Sequence, residues 1–165
     1  MAKRVYGLDI NSHRGLPEWL LLHQAYSASF KALELALLPS GFTMPRLHLM
    51  GILVAGERPL TLSELAQSMV REPHTLVRIV DDLESLDWVK RSRDSEDRRR
   101  KPIEPTKQGL AAFRKAFDTA VAAGEEMVSG FSQRQLSQLG RYLGLLRDDA
   151  LAQLAKHSDG SRLAA

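Results

Sequence analysis

The chain has 165 residues, 44% hydrophobic and 26% charged, with a formal net charge of +3 and no cysteine. This is the composition of a soluble globular protein of one domain, or one domain plus an extension, and it argues against disorder. The missing cysteines exclude a disulfide framework, a thiolate metal site and a cysteine peroxide sensor. No apolar run approaches the ~20 residues of a membrane span. Asp9, Asn11, His13 and Arg14 interrupt any signal-peptide core, so a cytoplasmic location without membrane contact is expected.

Residues 1–15 lack periodicity and read as an arm. Pro17 suits a helix start, and Trp19, Tyr26, Phe30, Leu33 and Leu37 follow at near-helical spacing up to Pro39. Ser40-Gly41 ends that helix, and Thr43 is the expected cap of another reaching Ala55-Gly56. After a turn at Glu57-Arg58-Pro59, Thr61 and Glu64 have the T-x-x-E spacing of a capping box. Leu62, Leu65, Ala66 and Met69 form the apolar face of the short helix it opens. The Arg71-Glu72-Pro73 turn closes that helix, and Pro73 suits the first position of the next, where a missing N–H costs nothing. Leu76, Ile79, Val80, Leu83 and Leu86 then recur at helical spacing, leaving His74, Thr75, Val77, Arg78 and Asp81 on other faces. Two short helices joined by a tight turn are the layout of a helix-turn-helix, whose second helix enters a DNA major groove.

Trp88-Val89-Lys90-Arg91 reads as a strand, with Arg100 to Pro105 as its returning partner. Pro102 and Pro105 each remove a ladder donor, which predicts a short return strand on an edge. Between the strands, Asp94-Ser95-Glu96-Asp97-Arg98-Arg99 makes a polar hairpin tip, or wing. From Thr106 the pattern is helical again, with Leu110, Phe113, Phe117, Ala120, Gly124, Met127 and Phe131 in steps of three and four. A break at Ser129-Gly130 separates this run from Leu136, Leu139, Leu143, Leu146 and Ala150. Heptad-like seams of this length want a partner helix. The polar tail from His157 is expected to fray.

The middle of the chain resembles the multiple-antibiotic-resistance regulator (MarR) family of winged-helix repressors. The residues that carry the resemblance are Leu65-Ala66, Thr75-Leu76-Val77-Arg78, Val80-Asp81-Asp82-Leu83-Glu84, Asp87-Trp88-Val89-Lys90-Arg91 and Asp94-Ser95-Glu96-Asp97-Arg98-Arg99, which follow the family's pattern without a gap. Thr106 and Gly109 match its T-x-x-G at the start of the following helix. Asp87 stands where the family has the Gly that ends the recognition helix, Glu72 replaces the usual Ser at the cap, Val77 replaces a Thr and Pro105 a Leu. The resemblance implies a mainly α fold with a small β-hairpin wing, a winged helix-turn-helix joined to a helical dimerisation layer. It divides the chain into an arm and first helix for dimerisation (1–42), a DNA-binding domain (43–107) and C-terminal dimerisation helices (108–165).

Residues 61–107 hold ten Lys/Arg and ten Asp/Glu, so binding to a polyanion must rest on segregation of charge. The expected DNA contacts are His74, Thr75, Val77 and Arg78 on the reading end of the second helix, with Arg98, Arg99 and Arg100 on the wing. Arg98 is the expected minor-groove contact. For Arg78 the competing role is an ion pair with Asp81 or Asp82. The five histidines have no H-x-x-x-H or H-E-x-x-H spacing, so no metal or cofactor is expected. No nucleophile elbow, phosphate loop or dinucleotide fingerprint occurs, so no enzyme is expected either.

The resemblance also implies a small effector in the crevice between the dimer layer and the winged unit: an aromatic acid, a phenolic compound or an aromatic acyl thioester. Trp19, His23, Tyr26, Arg46 and His48 fall on the two helices that line that crevice in relatives, and rings with a cation suit an anionic aromatic ligand. The expected function is thus a homodimeric, DNA-binding transcriptional regulator, a repressor released by that effector from a pseudo-palindromic operator. The alternative is a winged helix that docks on a protein and does not bind DNA.

Overall fold

The computed structural model describes residues 4–5, 8–9, 13–92 and 101–163. It forms two compact units, Met1–Gly124 and Glu125–Ala165.

The first unit starts with a small antiparallel hairpin, β1 (Arg4–Val5) and β2 (Leu8–Asp9), where the sequence suggested only an arm. Helix α1 (Leu16–Leu37) follows and ends in a 3-10 turn, Leu38–Ser40. Gly41, at φ 73°, turns the chain into α2 (Met44–Ala55). Thr43 caps α2 by accepting from the Arg46 N–H, and the Glu34 carboxylate accepts from the Met44 N–H. Both bonds satisfy donors that a helix N-terminus leaves unpaired.

Helices α3 (Leu62–Ser68) and α4 (Pro73–Ser85) and the wing strands β3 (Val89–Arg91) and β4 (Ile103–Pro105) make the winged helix-turn-helix. The α3 capping box is complete: Thr61 accepts from the Glu64 N–H, and the Glu64 carboxylate accepts from the Thr61 N–H. Strand β4 is not an edge. It pairs with β3 on one side, and Ile103 exchanges both backbone bonds with Leu60 on the other (3.0 and 2.7 Å). Pro102 and Pro105 confine this two-sided pairing to the Ile103 position.

The core runs through α2. Leu49, Met50 and Leu53 are buried with Leu65 of α3, Leu76, Val80 and Leu83 of α4, Val89 and Ile103 of the wing, and Phe113 and Ala116 of α5 (Lys107–Met127). Phe42 stacks on Trp88 with ring centroids 4.4 Å apart, tying the turn before α2 to the start of the wing. Among the described residues no charged or polar side chain is buried. Leu86, expected on the apolar face of α4, is partly exposed because it lies past the last helical turn.

Helix α5 is docked through Thr106-x-x-Gly109. The Thr106 hydroxyl donates to the Asp87 carbonyl (2.5 Å) and accepts from the Gly109 N–H (2.9 Å). Gly109 lies so close to the wing that an added Cβ would stand 1.9 Å from the Trp88 carbonyl oxygen. Only glycine fits there.

The second unit is dominated by α6 (Gln133–Leu163). A Ser132-x-x-Gln135 pair opens it: the Gln135 side-chain oxygen accepts from the Ser132 N–H (2.8 Å), and the Ser132 hydroxyl accepts from the Gln135 N–H (3.4 Å). The helix continues past His157, whose ring nitrogen lies 2.8 Å from the Gln153 carbonyl, to Leu163. Among the described residues no helix is long and apolar enough to cross a membrane.

Candidate functional site

The turn between α3 and α4 sets which residues α4 presents. Helix α3 ends with the Arg71 N–H on the Ala66 carbonyl (2.9 Å) and the Val70 N–H on the Gln67 carbonyl (3.1 Å). This is a Schellman closure with Val70 at the left-handed position, φ 52°. A β-branched residue there is strained, since its Cβ crowds the following carbonyl. Helix α4 ends the same way, Trp88 N–H on Leu83 carbonyl and Asp87 N–H on Glu84 carbonyl, with Asp87 at φ 57°. Asp87 thus takes the conformation that the family's glycine provides.

Between these closures α4 buries Leu76, Val80 and Leu83 and exposes His74, Thr75, Val77 and Arg78. Glu72 precedes the helix without a side-chain cap. Its carbonyl instead accepts from the Thr75 N–H (3.0 Å) and the Thr75 hydroxyl (2.7 Å). With its hydroxyl proton engaged, the exposed Thr75 side chain has a methyl group and an acceptor oxygen left to offer.

Charge is segregated along α4 by two arginines from elsewhere. Arg46 of α2 donates to Asp82 (2.8 Å) and to the Gly41 carbonyl (3.2 Å). Arg91 of β3 holds both Asp81 (2.6 Å) and Glu84. Asp81 and Asp82, the competing partners for Arg78, are both taken. Arg78 makes no ion pair or hydrogen bond among the described residues. The acidic C-terminal half of α4 is neutralised internally, and its N-terminal half keeps His74 and Arg78 exposed, with Arg71 exposed in the turn before it. Arg71, at the junction of the two helices, is a cation of this face that the sequence reading placed only in the turn. Arg98, Arg99 and Arg100 lie outside the described residues.

The five candidate ligand residues are not brought together. Trp19 and His23 stack along the outside of α1 with centroids 6.0 Å apart, and Tyr26 continues the same exposed face against Phe30. Arg46 is held by Asp82 and does not line the groove between α2 and α5. His48 does. It lies with Met44, Leu47, Gly51, Ile52 and Ala55 of α2 in an apolar groove of about 510 Å³ closed on the other side by Phe113 and Phe117 of α5. The two phenylalanine rings are 5.5 Å apart and tilted by 33°. The sequence held a cue for this wall, since Phe113 and Phe117 are one helical turn apart. Among the described residues no group of three or more His, Asp or Glu could hold a metal ion.

Residues 42–101, from Phe42 before α2 to the foot of β4, match the model of the MarR family. The chain carries a MarR-family domain. Solved MarR-family structures extend the likeness to the flanking helices. AbsC, a MarR-family transcriptional regulator from Streptomyces coelicolor, is 22% identical with a TM-score of 0.75, over 82% of this chain and 93% of that one. CouR from Rhodococcus jostii RHA1, bound to p-coumaroyl-CoA, is 25% identical with a TM-score of 0.68, over 74% and 86%. A mutant MarR from E. coli complexed with operator DNA is 20% identical with a TM-score of 0.73, over 79% and 93%. No curated protein matches the sequence. The MarR-family domain of this chain thus contains α2, α3, α4 and β3, and with them the candidate reading face and one wall of the groove.

Proposed function

We propose that this DNA-binding transcriptional regulator works as a homodimeric repressor that reads a pseudo-palindromic operator with α4 and is released by a small aromatic effector. The observation that carries the reading is the division of charge on α4. Arg46 and Arg91 neutralise its acidic half, and the exposed end keeps Arg71, His74 and Arg78 for phosphates and base edges. His74, Thr75, Val77 and Arg78 are the proposed helix contacts. Arg98, Arg99 and Arg100 are the proposed wing contacts, on the strength of the sequence alone.

The proposed dimer rests on exposed apolar surface. Trp19, Leu21, Tyr26 and Leu35 of α1, and Leu139, Tyr142, Leu143 and Leu146 of α6, are all exposed. On α6 these four recur at steps of three and four and so share one helix face, as Trp19 and Tyr26 do on α1, and an exposed apolar helix face marks an interaction surface. Residues 1–42 and 108–165 are the proposed dimerisation elements around a reading domain at 43–107. The groove between α2 and α5 is the proposed effector site. By linkage, the effector lowers DNA affinity by the same factor by which DNA lowers effector affinity.

The test starts with duplexes that the protein itself selects from a randomised pool. Fluorescence anisotropy at several salt concentrations should give affinity that falls steeply with salt, as phosphate contacts require. Sedimentation should give a dimer at micromolar concentration. Enrichment of no duplex, or a monomer with salt-independent binding, would replace this reading with that of a protein-docking module.

A further inference from the structure

We propose that the groove between α2 and α5 takes an uncharged aromatic ligand with a single polar substituent directed at His48, and discriminates against the corresponding carboxylate. The inference rests on the reading of this groove as the effector site and names the chemistry it selects.

The volume, about 510 Å³, lies within the range of small-molecule sites. Its walls are aliphatic along α2 and aromatic along α5, where the tilted Phe113 and Phe117 rings offer both a face and an edge to a third ring. The floor is Gly51. A Cβ added there would stand 3.8 Å from the Phe113 ring, so the glycine leaves space that a longer side chain would occupy. His48 is the one lining residue with a nitrogen or oxygen in its side chain.

Discrimination follows from what α2 does with its only fixed cation. Arg46 is two residues from His48 in sequence, but its guanidinium bonds Asp82 and the Gly41 carbonyl. No Lys or Arg lines the groove. A carboxylate entering it would exchange water for apolar walls with no guanidinium or ammonium to receive it, a loss that an uncharged group of the same shape avoids. A hydroxyl, ketone or ester oxygen needs one partner, and the imidazole provides one.

The test uses the whole chain as it assembles in solution and a near-isosteric pair with one polar substituent each, acetophenone and benzoate, by calorimetry and thermal shift at neutral pH. The ketone is expected to bind at least ~10-fold more tightly than the carboxylate and to raise Tm, as a native-state ligand must. Gly51→Leu should abolish ketone binding by filling the floor. Phe117→Ala, at a half-exposed position, should weaken it and serves if the leucine variant does not fold. His48→Gln should retain most of the affinity, and His48→Leu should lose it. Tighter binding of the carboxylate, lost in His48→Gln, would overturn the inference and leave the effector reading intact. Ketone binding unaffected by Gly51→Leu and Phe117→Ala would move the site elsewhere. Binding of neither compound, nor of longer aromatic ketones and esters, would overturn the effector reading together with the inference.

Discussion

Helices α4 and α6 carry similar apolar stripes but hide them differently. In α4, Leu76, Val80 and Leu83 are wholly buried by α2, α3 and the wing. In α6, Leu139, Tyr142, Leu143 and Leu146 keep 40–52% of their surface. The stripe of α4 is used up in making the winged unit, so its other face is free to meet DNA. The stripe of α6 stays exposed on a single chain, and it is the surface that the proposed dimer would cover. Substitutions on the two helices should therefore fail in different assays.

The largest effect is expected on assembly. Leu143→Asp would place an unpaired charge in the proposed dimer contact, a penalty of roughly 3–5 kcal/mol, equivalent to at least ~10²-fold in dimer Kd. Sedimentation should show monomer, while circular dichroism keeps the helix content of the winged unit. An unchanged dimer would remove α6 from the contact.

In the winged unit the penalty falls on folding instead. Gly109→Ala would drive a Cβ into the Trp88 carbonyl and should cost about 3 kcal/mol in chemical denaturation. The dimer-competent fraction should fall only as the fold is lost.

A gain is expected at the turn that aims α4. Val70→Gly removes a strained left-handed β-branched residue, a relief of roughly 1–2 kcal/mol partly offset by the entropy of glycine in the unfolded chain. A net stabilisation of about 1 kcal/mol should appear as a higher denaturation midpoint. A lower midpoint would show that Val70 contributes packing that its exposure does not suggest.

The smallest effect is acid lability at the α3 cap. A hydrogen bond from Arg58, then those from Thr61, lower the Glu64 pKa from 4.5 to about 2. The folded pKa is depressed, so the contribution is full above pH 4.5 and is lost as pH falls from there towards 2. Solvent screens this exposed cluster, so Glu64→Gln should cost no more than about 1 kcal/mol at neutral pH. The difference from wild type should vanish towards pH 2. Melting curves across that range check it.

Much of this arrangement was legible in the sequence, for local reasons. The Thr61 capping box and the Pro73 start of α4 depend on residues a few positions apart, where residue type restricts geometry strongly, whereas Asp87 and Thr106-x-x-Gly109 were marked by the resemblance and their contact joins residues 19 apart. Ser132-x-x-Gln135 has the same local spacing as the Thr61 box and is equally readable. Val70 was not readable, because a β-branched residue is a poor sign of positive φ. Nor was the Leu60–Ile103 bridge, a single pair between two prolines with no alternation to announce it. Nor was the Arg46–Asp82 pair, whose partners lie 36 residues apart. The groove has the same origin, since Gly51 and Phe113 meet only once α2 and α5 pack.

The N-terminal half of α4 is the proposed reader of DNA. Its most direct test is anisotropy of wild type and Arg78→Ala on a self-selected duplex and on its scrambled counterpart, at several salt concentrations. A base contact from Arg78 predicts a loss of roughly 1–3 kcal/mol on the selected duplex and a much smaller loss on the scrambled one. Equal losses on both duplexes, or no loss on either, would mean that α4 is not the reader.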